Sequence, residues 1–190
     1  GQMGRKWHST FGNNLNLSYI IKNITYAPFI FNMAIALGVL EGIRKFPFIE
    51  GIKETHINIK WPNDIVLIED SGVKKIAGIL IENSWRGETQ TASIVGVGVN
   101  LDTQFSKEHV SGFNLMPGNL NDYLSENISA LNLELPIINS IQKRIHMLST
   151  ERGDEIILTD FNKELFGLNS ERHYTIDNKP FKGTLLGIEK

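Results

Sequence analysis

Between residues 56 and 100, four β-patterned segments follow one another with no room for a helix between them. They fall at about 56–60, 64–69, 74–83 and 91–100. Parallel neighbours need a crossover of a dozen or more residues, usually helical, so these segments must pair mainly as antiparallel strands. Glu69-Asp70-Ser71-Gly72 and Arg86-Gly87-Glu88 have the turn chemistry to make hairpins of them. Upstream, 15–20 (LNLSYI) alternates Leu15, Leu17 and Tyr19 with Asn16 and Ser18, which adds a further strand.

Helical signals flank this block. The apolar stretch 28–40 (PFIFNMAIALGVL) opens on Pro28, which suits a first helical turn, and a helix is predicted to run to about Lys45, before Pro47. It falls short of the roughly 20 apolar residues that a membrane span needs, so it reads as a core helix. Residues 103–117 turn polar and Gly/Pro-punctuated, as in a surface loop. Further helices are predicted near 119–130 and from Pro136 into the 150s, where Ile137, Ile138, Ile141, Ile145 and Leu148 recur at helical spacing. The fold class is therefore α+β, a mixed or antiparallel sheet packed by helices. After Gly167, HYTIDNKPFKGTLLGI holds two short strand patterns around Asp177-Asn178-Lys179-Pro180, as in the first hairpin of a second small β domain. The expected division is 1–168 and 169–190, with no internal repeat.

Composition narrows the chemistry. The chain has 190 residues, enough for one sizeable domain with a small appendage. A formal net charge of −2 argues against a surface built chiefly to hold nucleic acid. The absence of cysteine excludes disulfides, thiolate catalysis and cysteine zinc sites, and it fits a reducing cytosol. His8, His56, His109, His146 and His173 show no metal-ligand spacing, and no serine sits in a nucleophile-elbow context.

Four segments can carry chemistry. GQMGRKWHST places Gly1, Gln2, Gly4, Arg5 and Trp7 together. Its glycines allow close backbone approach to a ligand, Arg5 and Lys6 suit a phosphate, and Trp7 can stack on a base; a disordered basic terminus fits the same residues. KWPND sets Lys60 four residues from Asp64, with Asn63 beside it, where proline interrupts a strand pattern. Asp64 can be the carboxylate of a magnesium site, or Asn63 and Asp64 can simply satisfy the donors of a tight turn. KKIAGILIEN has Lys74 and Lys75 at the start of a strand with Gly78 inside it, either a ligand-contacting edge or, for one of the lysines, an exposed charge that discourages edge pairing. GVGVN clears one strand face at Gly96 and Gly98 before Asn100. It lacks the third glycine and the following helix of a dinucleotide fingerprint.

Taken in order, GRKWxS, KWPND, KIAGIL and GVGVN resemble the biotin protein ligases, and a terminal LFGLN...F.G...GI pattern resembles the start of that family's C-terminal SH3-like domain. The resemblance covers most of the chain and implies a biotin ligase-like (class II synthetase-like) fold. It also implies activation of biotin by ATP and Mg2+ to biotinyl-5'-AMP, then transfer to a lysine of a biotin carboxyl carrier protein domain. By the same resemblance, Gly1, Gln2, Gly4, Arg5 and Trp7 belong to a loop over biotin and adenylate, with Arg5 on phosphate. Lys75 holds the biotin carboxylate and then the phosphoryl oxygens. Lys60, Asn63 and Asp64 sit at the nucleotide and magnesium end, Asn100 belongs to the same site, and Gly78, Gly96 and Gly98 give the flat ligand room. The family's loop begins Gly-Arg-Gly, of which only the last glycine is matched, by Gly1, so an upstream segment is expected in the natural protein. A cytoplasmic enzyme, possible homodimer pairing through a sheet edge, and no DNA contact from this part of the chain complete the expectation. A lipoate or octanoate ligase of the same general fold, or a non-catalytic biotin-sensing regulator, are the alternatives.

Overall fold

The computed structural model describes residues 12–22, 24–105, 115–177 and 179–189. Six strands form one sheet. In chain order they are β1 (Asn14–Lys22), β2 (Ile57–Lys60), β3 (Asp64–Glu69), β4 (Gly72–Arg86), β5 (Thr89–Asn100) and the two-residue β6 (Met116–Pro117). The spatial order is β1-β5-β4-β3-β2, all antiparallel, while β6 adds to β4 in parallel at Lys74 and Lys75. The predicted meander is present, with its turns at Gly72 (φ 134°) and Gly87 (φ 62°), both in the region that glycine adopts freely.

The helices cover one face. α1 (Pro28–Ile43) begins at its proline and is buried almost all round, because the sheet lies on one side of it and α2 (Ala130–Leu148) on another. Val95, Val97 and Val99 of β5, with Ala77 and Ile79 opposite them, join the α1 side chains in a single core. Strand alternation then turns Gly96, Gly98 and Asn100 to the other face. α1 and α2 approach closely at two glycines. A Cβ on Gly38 would lie 2.6 Å from Ile141 Cα, and one on Gly42 would lie 2.7 Å from Ile137 Cα.

Three helical expectations are corrected. The segment near 119–130 contains only a 3-10 turn, Leu120–Tyr123. α2 starts at Ala130 instead of at Pro136: Asn132 Oδ1 accepts from the Ser129 N–H at 2.9 Å and caps the first turn, so Pro136 stands inside the helix. The helix does not continue into the 150s. It ends at Leu148, and α3 (Gly153–Lys163) follows as a separate element, entered through Arg152 at φ 60°.

Arg144 binds the three helices together. Its guanidinium pairs with Glu41 of α1 and, at 2.7 Å, with Asp160 of α3. Beyond α3 the chain docks on the β2 edge, where Ile59 N–H donates to Glu164 O and Phe166 N–H to Ile59 O, both at 2.8 Å. β7 (Glu171–Ile176) and β8 (Lys179–Thr184) form the predicted C-terminal hairpin as a two-stranded sheet. Asn162 holds the residues after it, accepting from Ile188 N–H at 2.7 Å and donating to Ile188 O at 3.0 Å. No helix of the described residues is long and apolar enough to cross a membrane.

Candidate functional site

KWPND is a hairpin turn. Lys60 and Asp64 are register partners, Trp61-Pro62-Asn63 makes the connection, and the Trp61–Pro62 peptide is cis. Asn63 clamps the turn to β4, its Nδ2 donating to Ile79 O at 2.7 Å while its own carbonyl accepts from Ile79 N–H at 2.9 Å. Of the two readings of Asn63, the structure thus supplies a turn-holding role, through a partner 16 residues away rather than a local donor. Trp61 folds toward the helices and meets Phe29 and Phe161 edge-on, with centroids 6.0 and 6.1 Å away. A cavity of about 60 Å³ lies between this turn and α1, lined by Asn32, Ala36, Pro62, Asn63, Ile79 and Ile81. Ligand pockets are usually about 300–1,000 Å³, so it is too small for a metabolite.

The second site is the sheet face opposite the described helices. β3 pairs with β4 as Asp64↔Gly78 and Ile65↔Ala77, and then the register shifts to Val66↔Lys75. Ile76 is the extra residue of a β-bulge. The shift decides where the lysines point. Counted back from core-facing Ala77, simple alternation would send Lys75 to the helix side. The bulge instead sets it opposite Val66, on the same face as Asp64, and the Lys75 Nζ lies 2.5 Å from Asp64 Oδ1. Lys74 is turned the other way, 2.7 Å from Glu69. The hydrogen bond from Lys74, helped by Ser71, holds the Glu69 carboxyl below its ordinary value, and the bond to Glu69 raises Lys74 in turn. Burial pushes the neighbouring Tyr123 phenol up.

Beside the Lys75–Asp64 pair the strands carry glycines. Gly78 and Gly98 are directly opposite each other, and Gly96 follows across from Leu80. β1 contributes Asn16 opposite Gly98 and Ser18 opposite Gly96. Lys60, as the register partner of Asp64, belongs to the same face and forms no ion pair with a described residue. The sheet thus brings Lys60, Asp64, Lys75, Gly78, Gly96 and Gly98 together, while Asn63 faces the turn. Gly1, Gln2, Gly4, Arg5 and Trp7 lie outside the described residues.

Asn100 has a different setting from an open ligand contact. It is buried, and its Nδ2 donates to Gly118 O at 3.2 Å and Lys75 O at 3.4 Å. Its Oδ1 accepts from Asn14 Nδ2 at 3.2 Å, and Asn14 Oδ1 accepts from the Thr103 hydroxyl at 2.8 Å. Asn14, Thr103, Gly118 and Asn119 are functional candidates that sequence reasoning missed. The one available signal was weak: a polar residue, Asn14, at the first position of a strand whose next residue is core.

As a chemical arrangement, a cation held by a carboxylate over a glycine-cleared floor suits a flat ligand with a negatively charged end. No group of three or more His, Cys, Asp or Glu residues able to hold a metal occurs among the described residues. A magnesium ion here would rest on Asp64 alone, which fits only where substrate phosphates and water complete its shell.

The chain is 28% identical over 186 residues to the bifunctional ligase/repressor BirA of Escherichia coli, covering 89% of this chain and 54% of that protein. It is 35% identical over 104 residues to the biotin--[acetyl-CoA-carboxylase] ligase of Paracoccus denitrificans, covering 53% of this chain and 39% of that one. The chain therefore spans about half the length of these relatives or less. Among solved structures, the biotin protein ligase from Aquifex aeolicus in complex with biotin and ATP superimposes with a TM-score of 0.73 over 100% of this chain and 73% of that one. At 21% identity this likeness establishes the fold. Residues 1–100, more than half of the sequence, match the biotin/lipoate A/B protein ligase family, and the chain belongs to it.

Proposed function

We propose that this chain is the catalytic part of a biotin protein ligase. The observation that carries the reading is the Lys75–Asp64 pair standing over the Gly78–Gly98–Gly96 floor, in a chain of this family. The Paracoccus denitrificans relative is named for a carboxylase-directed biotin ligase, and the Aquifex aeolicus fold holds biotin and ATP.

In the first step a biotin carboxylate oxygen attacks the α-phosphorus of ATP, the bond to the bridging oxygen breaks, and pyrophosphate leaves. In the second, the ε-amine of a carrier-domain lysine attacks the mixed-anhydride carbonyl and AMP leaves. The Lys75 ammonium attracts the carboxylate before attack and the phosphoryl oxygens as negative charge gathers on them, a stabilisation that strengthens along the reaction. Asp64 orients that ammonium through its Oδ1. It also would hold Mg2+, which when bound neutralises phosphate charge. Lys60 lies beside Asp64 toward the phosphates. Arg5 acts on phosphate, and Gly1, Gln2, Gly4 and Trp7 contribute to binding biotin and the adenylate. Residues 169–190 begin an SH3-like domain. Among the described residues β1 ends the path of the sheet, which supports pairing with a second copy there, and the setting is cytoplasmic.

The test is pyrophosphate release with ATP and biotin, with lipoate as a parallel arm, in this chain and in the protein extended upstream of Gly1. Release with biotin supports the reading. Release with lipoate alone moves the substrate to the other branch of the family, and binding of biotin without release assigns a sensing regulator.

A further inference from the structure

The β-bulge that turns Lys75 toward Asp64 has a cost: the main chain around an unpaired residue loses part of its ladder hydrogen bonding. Beside the bulge, the Lys75 carbonyl faces β6 and is met by two donors, Gly118 N–H at 2.9 Å and Asn100 Nδ2 at 3.4 Å. Behind Asn100 the amides run on in one direction, to Asn14 and then to the Thr103 hydroxyl. Thr103 is fixed to Asn119 by a reciprocal pair, its N–H donating to Asn119 Oδ1 at 2.9 Å and its carbonyl accepting from Asn119 Nδ2 at 3.3 Å. Asn119 adjoins Gly118, so the network closes on the carbonyl where it began. Asn14, Asn100 and Thr103 are each more than nine-tenths buried. Polar groups so buried are costly unless every one is matched, and here they are matched to one another and to the backbone beside Lys75.

We propose that the Thr103–Asn14–Asn100 relay sets the bulge geometry of Lys75, which makes Thr103 and Asn14 positioning residues for that lysine. Both act through Asn100 and the Lys75 carbonyl. The relay brings residue 14, residues 100 and 103, and residue 118, three separate stretches of the chain, to one peptide group. This inference rests on the ligase reading only where it concerns rate. The geometric part concerns Lys75 whatever the reaction.

The experiment measures two things in the full chain carrying Thr103→Val, which keeps the side-chain shape and removes the hydroxyl, and Thr103→Ser, which keeps the hydroxyl. The first is the acylation rate of the Lys75 ε-amine by limiting acetic anhydride, followed by peptide mass spectrometry with Lys60 as internal reference. The second is biotin- and ATP-dependent pyrophosphate release. Thr103→Val is expected to raise Lys75 acylation relative to Lys60 and to lower kcat on the order of tenfold or more, as small misplacements of a catalytic group do, with KM for ATP unchanged. Thr103→Ser is expected to restore both. On a Lys75→Ala background, Thr103→Val should add no further loss, the non-additivity expected of residues acting through one group. An unchanged Lys75 acylation rate in folded Thr103→Val, or equal effects of the valine and serine variants, would overturn the proposal. Exchange of the Gly118 amide in the unaltered chain supplies a measurement independent of any variant. Protection matching the β4–β5 ladder supports the relay, and rapid exchange overturns it. A shift in Lys75 acylation in a chain that releases no pyrophosphate with biotin would sustain the relay and reject the ligase reading.

Discussion

The Lys75 ammonium lies 2.5 Å from the Asp64 carboxylate because one extra residue, Ile76, interrupts the β3–β4 register between them. The pair is partly open to solvent, with side-chain exposures of 30% and 15%. Its worth to folding is small, since exposed ion pairs contribute about 0–1 kcal/mol. On the proposed function its value is to the chemistry at that face of the sheet.

Lys75→Ala and Asp64→Ala should each lower adenylate formation on the order of 10²–10³-fold, the range found when a preorganised electrostatic group is removed. Unfolding midpoints should stay near those of the unaltered chain. Near-normal turnover in either variant would remove the pair from the site.

Gly38→Ala tests the α1–α2 contact. In an isolated helix this change favours folding by about 1 kcal/mol. Here the new Cβ would sit 2.6 Å from Ile141 Cα and 2.7 Å from Ile141 N, both backbone atoms that cannot turn aside. Overpacking reverses the sign, and a net loss of about 1–3 kcal/mol is expected in urea unfolding. A gain in stability would mean that the helices pack less closely than described.

Arg144 is nine-tenths buried between Glu41 and Asp160. Burial works against its charge, but the hydrogen bonds to the two carboxylates outweigh it and raise the guanidinium further. Arg144→Ala leaves two partly buried carboxylates, each less than a third exposed, without their shared cation, and should cost about 2–4 kcal/mol, somewhat below a fully buried pair broken on one side. Arg144→Lys should recover only part, because an ammonium lacks the planar fork that reaches both acceptors. Equal stability of the alanine and native chains in guanidinium unfolding would contradict the bridging role.

Acid stability follows from Glu69 and Asp160. Glu69 is lowered from 4.5 by its bonds from Lys74 and Ser71. Asp160 feels burial upward, yet Arg144 and Lys163 bring it below 3.8. A lowered folded pKa means stability that is present above the ordinary value and lost as pH falls through the folded one. The stability curve should therefore decline below about pH 4.5, and Glu69→Gln with Asp160→Asn should flatten that limb. Lys74 has the opposite sign. Raised from 10.5 by Glu69, it contributes below that pH and loses its contribution above it. An acid limb as steep in the double variant as in the native chain would place the titrating groups elsewhere.

Much of the fold was legible because its signals are local. Pro28 and the apolar run after it mark α1, and the turns at Gly72 and Gly87 separate strands whose alternation is visible residue by residue. Pro136 misled the placement of α2, since proline favours a first turn while the Ser129–Asn132 cap starts the helix earlier. KWPND looked like an interrupted strand and is the turn between two, a distinction that depends on whether Lys60 and Asp64 continue in line or pair.

The sequence by itself determined the antiparallel meander, the buried helix against it and the motif order that marks the family, because periodicity and turn chemistry act over a few residues. The resemblance singled out Lys75, and only the tertiary structure decided how it, and not Lys74, comes to face Asp64. A single bulge reverses strand alternation, and nothing in KKIAGIL announces where it falls. The same holds for Asn100, whose partners are Asn14, Gly118 and the Lys75 carbonyl. A buried amide is satisfied by whatever groups the fold brings to it, and those groups are neighbours in space long before they are neighbours in the chain.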